Sequence, residues 1–93
     1  MEPAKILIVE DEFIIAEKLS ADLSDIGYDI TEVVSSGENA ISSVTENPPD
    51  LIIMDINIDG ELDGIQTAKK ILSLMAIPVI YLTGLTDQSV FQI

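Results

Sequence analysis

The chain has 93 residues, 47% of them apolar and only 4% aromatic, so it makes one domain at most, with an aliphatic core. It has no cysteine and no histidine, which excludes disulfides, thiolate or imidazole metal sites and histidine acid–base catalysis. The formal charge is −13, with Lys5, Lys18, Lys69 and Lys70 as the only cations; such a surface repels nucleic-acid phosphates and anionic membrane. No apolar run reaches membrane-spanning length, so the expectation is a soluble, cytoplasmic domain that binds neither membrane nor nucleic acid.

Lys5–Val9 is a short β-branched run without alternation, the mark of a strand buried on both faces. Asp11 or Glu12 then opens a helical pattern in which Ile14, Ile15, Leu19, Leu23 and Ile26 recur, and Gly27 ends it. Residues 28–35 read as a second strand carrying Ile30, Val33 and Val34. Ser36 or Gly37 caps a second helix with Ala40, Ile41 and Val44 as its buried stripe. Asn47, Pro48 and Pro49 stop that helix. Residues 51–54 form a third buried strand, followed by a polar loop to Asp63. Residues 64–75 read as a helix with Ile65, Ala68, Ile71, Leu72 and Met75 on one side. Residues 77–82 make a fourth strand, and Asp87 starts a last helix that runs to Ile93. Repeated βα units of this length imply an α/β fold, a doubly wound parallel sheet with helices on both faces.

In such a sheet ligands bind beyond the carboxyl ends of the strands, where the strand order switches. Glu10, Asp11 and Glu12 follow the first strand, Asp55 follows the third and Thr83 the fourth. In the small flavodoxin-like order 2-1-3-4-5, strands one and three are neighbours. Glu10, Asp11 and Asp55 then share one crevice. Three packed carboxylates repel one another unless a cation sits among them. An all-oxygen set points to magnesium rather than zinc.

The stretches Ile6–Glu12, Pro49–Asp55, Asp63–Gly64 and Ile77–Thr83 together resemble the receiver domain of two-component response regulators. The resemblance covers the whole chain in the right order, and it implies one receiver domain over residues 1–93, incomplete at its C-terminus. It implies that Asp55 accepts a phosphoryl group, that Asp11 binds Mg2+ directly with Asp55 and that Glu10 helps through water. It also implies that the backbone carbonyl of Asn57 completes the metal site, and that the Thr83 hydroxyl contacts a phosphoryl oxygen and moves on activation. The donor would be a phosphohistidine on a sensor histidine kinase or phosphotransfer protein, or a small acyl phosphate. The receiver of the signal would be an output domain or a downstream protein, with a homodimer left open. Such a domain assists its own phosphoryl transfer and hydrolysis without being an enzyme in the usual sense.

The chain departs from the family pattern in several places. Glu10–Asp11 replaces a pair of aspartates. The loop after Asp55 is one residue longer than the commonest form and has Asp59–Gly60 where a proline is usual. Gly84 stands where alanine is usual. The family's lysine on a fifth strand has no counterpart among the four lysines, so strand five and helix five are expected to be lacking and the natural gene is expected to continue for roughly 25–35 residues. Two alternatives follow. One is a receiver-like interaction module that takes no phosphate. The other is a calcium loop over residues 55–66, which matches the EF-hand pattern except that Gln66 replaces the bidentate acid. An aspartyl-nucleophile phosphatase fits less well, because Asn57 stands where its second acid is needed.

Overall fold

Four runs become four parallel strands, because extended backbone needs hydrogen-bond partners and the apolar side chains of the inner strands need cover on both faces. The structure is a computed structural model that describes residues 2–58, 60–82 and 91–92. The elements are β1 (Lys5–Val9), α1 (Phe13–Ile26), β2 (Asp29–Val34), α2 (Gly37–Glu46), β3 (Leu51–Asp55), α3 (Gly64–Leu74), β4 (Val79–Leu82) and β5 (Phe91–Gln92). Strand order is β2-β1-β3-β4-β5. The first four strands are parallel and β5 is antiparallel to β4. The order of the first four strands is the doubly wound, flavodoxin-like order that the sequence implies; a fifth strand was expected to be lacking, and the short antiparallel β5 stands in addition.

The one difference at the sheet edge is at the end of the chain. A helix was expected from Asp87 to Ile93. Asp87–Val90 and Ile93 lie outside the described residues, but Phe91 and Gln92 are extended and pair with Leu82 and Tyr81. The reason is hydrogen bonding: the outer edge of β4 offers backbone groups that need partners, and a short strand supplies them. β4 itself begins only after Pro78, which has no N–H to give to the ladder.

The helix ends follow local chemistry. Gly27 closes α1 at φ 118°, and its N–H reaches the carbonyls of Leu23 and Ser24. The Ser36 hydroxyl caps α2 by accepting from Asn39 N–H at 3.2 Å. Asp63 and Gln66 form a capping box on α3, with Asp63 Oδ1 accepting from Gln66 N–H at 2.8 Å and Gln66 Oε1 accepting from Asp63 N–H at 3.0 Å.

Two cores lie on the two sides of the sheet. On the α2 and α3 side, Leu7, Val9, Ile52 and Met54 pack with Ala40, Val44, Ile71 and Ile77. On the α1 side, Ile6, Ile8, Ile53 and Leu82 are covered by the half-buried Leu19 and Leu23. Several residues expected inside are outside: Ile14 is 81% exposed, and Ile26, Ile65 and Leu72 are exposed too. The helical period explains this. α1 rests on Ala16, Leu19 and Leu23, and α3 on Gly64, Thr67, Ala68 and Ile71, so Ile14 and Leu72 fall outside the contact stripe.

Candidate functional site

Strand register brings the acids together. β1 and β3 pair with Val9 opposite Met54, so the residues that follow, Glu10 and Asp55, emerge side by side at the carboxyl edge of the sheet. Asp11 is the next residue along. One carboxylate oxygen from each of Glu10, Asp11 and Asp55 lies within 4.8 Å of the others. Glu10 and Asp55 are buried, while Asp11 is half-buried. A cleft of about 250 Å³ opens over them, lined by Glu10, Asp11, Glu12, Asp55 and Asn57.

Glu10 and Asp55 are held by the backbone. Glu10 N–H donates to Val34 O at 2.9 Å, which ties the end of β1 to β2. Glu12 N–H donates to Glu10 Oε2 at 3.1 Å, and Asn57 N–H donates to Asp55 Oδ1 at 3.2 Å. The end of β3 is closed by two more bonds, Ile56 N–H to Leu82 O at 3.2 Å and Gly64 N–H to Ile56 O at 2.8 Å. Gly64 has a plain reason to be glycine. A Cβ there would collide with the Asp55 carbonyl oxygen and stand 2.8 Å from Ile56 Cα. The signal for it was legible: a glycine directly after a capping aspartate, where alanine is the better helix former.

Crowding shows in the electrostatics. The Glu10 carboxyl is pushed up to about 8, mainly because burial penalises its charged form, with Asp55 and Asp11 adding to the rise; the Glu12 N–H works the other way. The site thus holds more negative charge than it can solvate, and every donor atom is oxygen. Such a set suits a hard divalent cation.

The structure brings together Glu10, Asp11 and Asp55 and puts Asn57 on the same cleft. Thr83 and Gly84 lie outside the described residues. The calcium-loop alternative meets two obstacles. The segment before Asp55 is the strand β3 and not a helix, and the Asp63 carboxylate is engaged in capping α3; Asp59 lies outside the described residues. A larger groove of about 590 Å³ runs between α1, β2 and α2, touching the site only at Glu10 and Asp11. Among the described residues no helix is long and apolar enough to cross a membrane.

The chain is similar to known proteins in sequence and in fold. The chain is 32% identical over 90 residues to the transcriptional regulatory protein PdtaR of Mycobacterium tuberculosis, covering 97% of this chain and 43% of that protein. It is 34% identical over 83 residues to the DNA-binding response regulator MtrA of Mycolicibacterium paratuberculosis, covering 89% of this chain and 36% of that protein. The chain therefore spans less than half the length of these curated relatives. In three dimensions it matches the signal receiver domain of a modulated diguanylate cyclase from Desulfovibrio desulfuricans, with TM-score 0.84 and 34% identity over 90% of this chain and 67% of that one. The receiver domain of PhyR from Erythrobacter litoralis matches with TM-score 0.80 and 30% identity over 87% of this chain and 63% of that one. The family model for the response regulator receiver domain matches residues 6–92, and with the strand order and the acidic cleft it places this chain in that family.

Proposed function

We propose that the chain is a phosphoryl-accepting signalling domain in which Asp55 is the acceptor. The observation that carries this reading is the meeting of Glu10, Asp11 and Asp55 within 4.8 Å at the ends of adjacent strands. Asp11 and Asp55, with the Asn57 carbonyl, would hold Mg2+, and Glu10 would assist through water. A bound magnesium ion neutralises charge on the phosphoryl oxygens during transfer. The donor is a phosphohistidine of a sensor kinase or phosphotransfer protein, or a small acyl phosphate. An Asp55 carboxylate oxygen attacks phosphorus, the O–P bond forms as the donor's P–N bond breaks, and the imidazole leaves with the electron pair and regains a proton from water. The Asn57 N–H bonded to Asp55 Oδ1 keeps the carboxylate oriented. Thr83 would contact a phosphoryl oxygen and carry the change to an output domain or a downstream protein; this role rests on the resemblance alone. The site assists its own phosphorylation and dephosphorylation rather than turning over a separate substrate. A cytoplasmic location fits such a partner set.

The test is intact mass after incubation with acetyl phosphate and magnesium. The parent protein gains one phosphoryl group, and Asp55→Asn gains none. A mutant that labels as well as the parent removes Asp55 from the role. A parent that does not label at all leaves the phosphorylation-independent interaction module as the better reading.

A further inference from the structure

The first turn of α2 touches none of the three acids, yet it is packed onto the loop that carries Asp55 with unusual closeness. Gly37 is buried at the start of α2. A Cβ there would collide with Thr67 Oγ1 and stand 3.1 Å from Leu62 Cβ and 3.2 Å from Thr67 Cβ. Thr67 is fully buried. Its hydroxyl donates to Asp63 O at 2.7 Å and its N–H donates to the same carbonyl at 2.9 Å. Asp63 precedes Gly64, where a Cβ would collide with the Asp55 carbonyl oxygen. On the other side of the loop, the Glu38 carboxylate lies so close to Gly60, at φ 104°, that a Cβ would stand 3.0 Å from Glu38 Oε1.

From this continuous run of contacts we infer that Gly37 and Thr67 are positioning residues for the acid site, the first turn of α2 acting as a strut that sets where the loop holds Asp55 and Asn57. The inference rests on the phosphoryl-accepting reading of Asp55 and adds to it the part of the fold that aligns the acceptor. The physical reason is that close-packed interiors transmit displacement and do not absorb it. Excess volume at Gly37 must move Thr67, Thr67 is bonded to Asp63, and Gly64, the next residue, donates its N–H to Ile56 O at 2.8 Å beside Asp55. A displacement of about 1 Å passed to a reacting group from a distance can cost about 100-fold in rate.

The test is a pair of opposite errors and their combination. Gly37→Ala overfills the contact. Thr67→Ala empties it and removes the hydroxyl bond to Asp63. The double variant refills it, because the new methyl takes the space that Oγ1 leaves. Magnesium affinity is measured by amide shifts at Asp55 and Asn57, the rate of labelling by acetyl phosphate is measured beside it, and thermal unfolding is recorded for each protein. The expected result is weaker magnesium binding and labelling slowed by up to about 100-fold in each single variant, with the double variant, which restores the volume but not the hydroxyl bond, recovering part of the loss. A purely structural contact would lower the unfolding temperature and leave magnesium affinity and labelling of the folded protein unchanged, and that result overturns the inference. Should Gly37→Ala fail to fold, Thr67→Ala and the double variant still decide. Normal labelling in the parent with parental behaviour in all variants removes the strut alone. A parent with no magnesium response takes down both this inference and the reading of Asp55.

Discussion

The two faces of the sheet are built differently. Under α2 and α3 the core is deep: Leu7, Val9, Val44, Ile52, Met54 and Ile71 are fully buried, and two helices touch each other as well as the sheet. Under α1 the described core is thinner, four buried residues covered by two half-buried leucines, while Phe13, Ile14 and Ile26 face outward. The acid site lies on the seam between them, with Asp11 leading into α1 and Asp55 leading into the loop before α3. Among the described residues, one side of the site is thus backed by the core under α2 and α3 and the other by α1.

Core truncation tests the comparison most strongly. Ile71→Ala on the deep side should cost about 2–5 kcal/mol in urea unfolding, the usual range for a fully buried isoleucine. Leu23→Ala on the α1 side should cost about 1–2 kcal/mol, because part of the side chain already meets water. Equal losses would mean that the two faces are equally well packed.

The seam itself should respond to pH. Glu10 ordinarily titrates near 4.5, and in the fold it is pushed up to about 8. Between these values the folded chain keeps a proton that the unfolded chain has released. Stability from this group is therefore fully present below pH 4.5, falls as pH rises through that window and levels off above about 8. Thermal melts of the metal-free protein should show this decline, Glu10→Gln should flatten it, and added magnesium should offset it. A parent and Glu10→Gln with the same slope would show that the crowded acids do not set it.

The smallest effect is expected at the outer surface of α1. Ile14→Ser should change stability by no more than about 0.5 kcal/mol, since the side chain is 81% exposed. A loss comparable to that of Leu23→Ala would place Ile14 against something that covers it in solution.

The order of elements was legible from the residues because it depends on local chemistry. β-branched runs mark β1 and β3, Gly27 adopts the left-handed turn that ends α1, and Ser36 accepts an early amide proton of α2, whereas the start of β4 at Val79 instead of Ile77 and the Asp63 cap of α3 emerged from the structure. The acids could be ranked as candidates for the same reason: each follows a strand, and the carboxyl edge of a parallel sheet is where ligands bind. The buried side of each helix was harder to read. An isoleucine at Ile14 or a leucine at Leu72 fits a helical stripe one turn away from the one in use, and sequence hydrophobicity cannot choose between adjacent stripes. The sheet chose Ala16 and Thr67, because a small or compact side chain lets the helix backbone come close.

What the sequence by itself determined, then, was where β1 to β4 and α1 to α3 lie to within a few residues and which residues carry charge, since caps, turns and periodicity act over a few residues. Only the tertiary structure decided that Glu10, Asp11 and Asp55 meet within 4.8 Å, that Gly37 sits against Thr67 and that Phe91 and Gln92 pair with β4. These contacts join segments tens of residues apart, so they depend on strand register and on how closely side chains interlock, and neither is written in any local stretch of the chain.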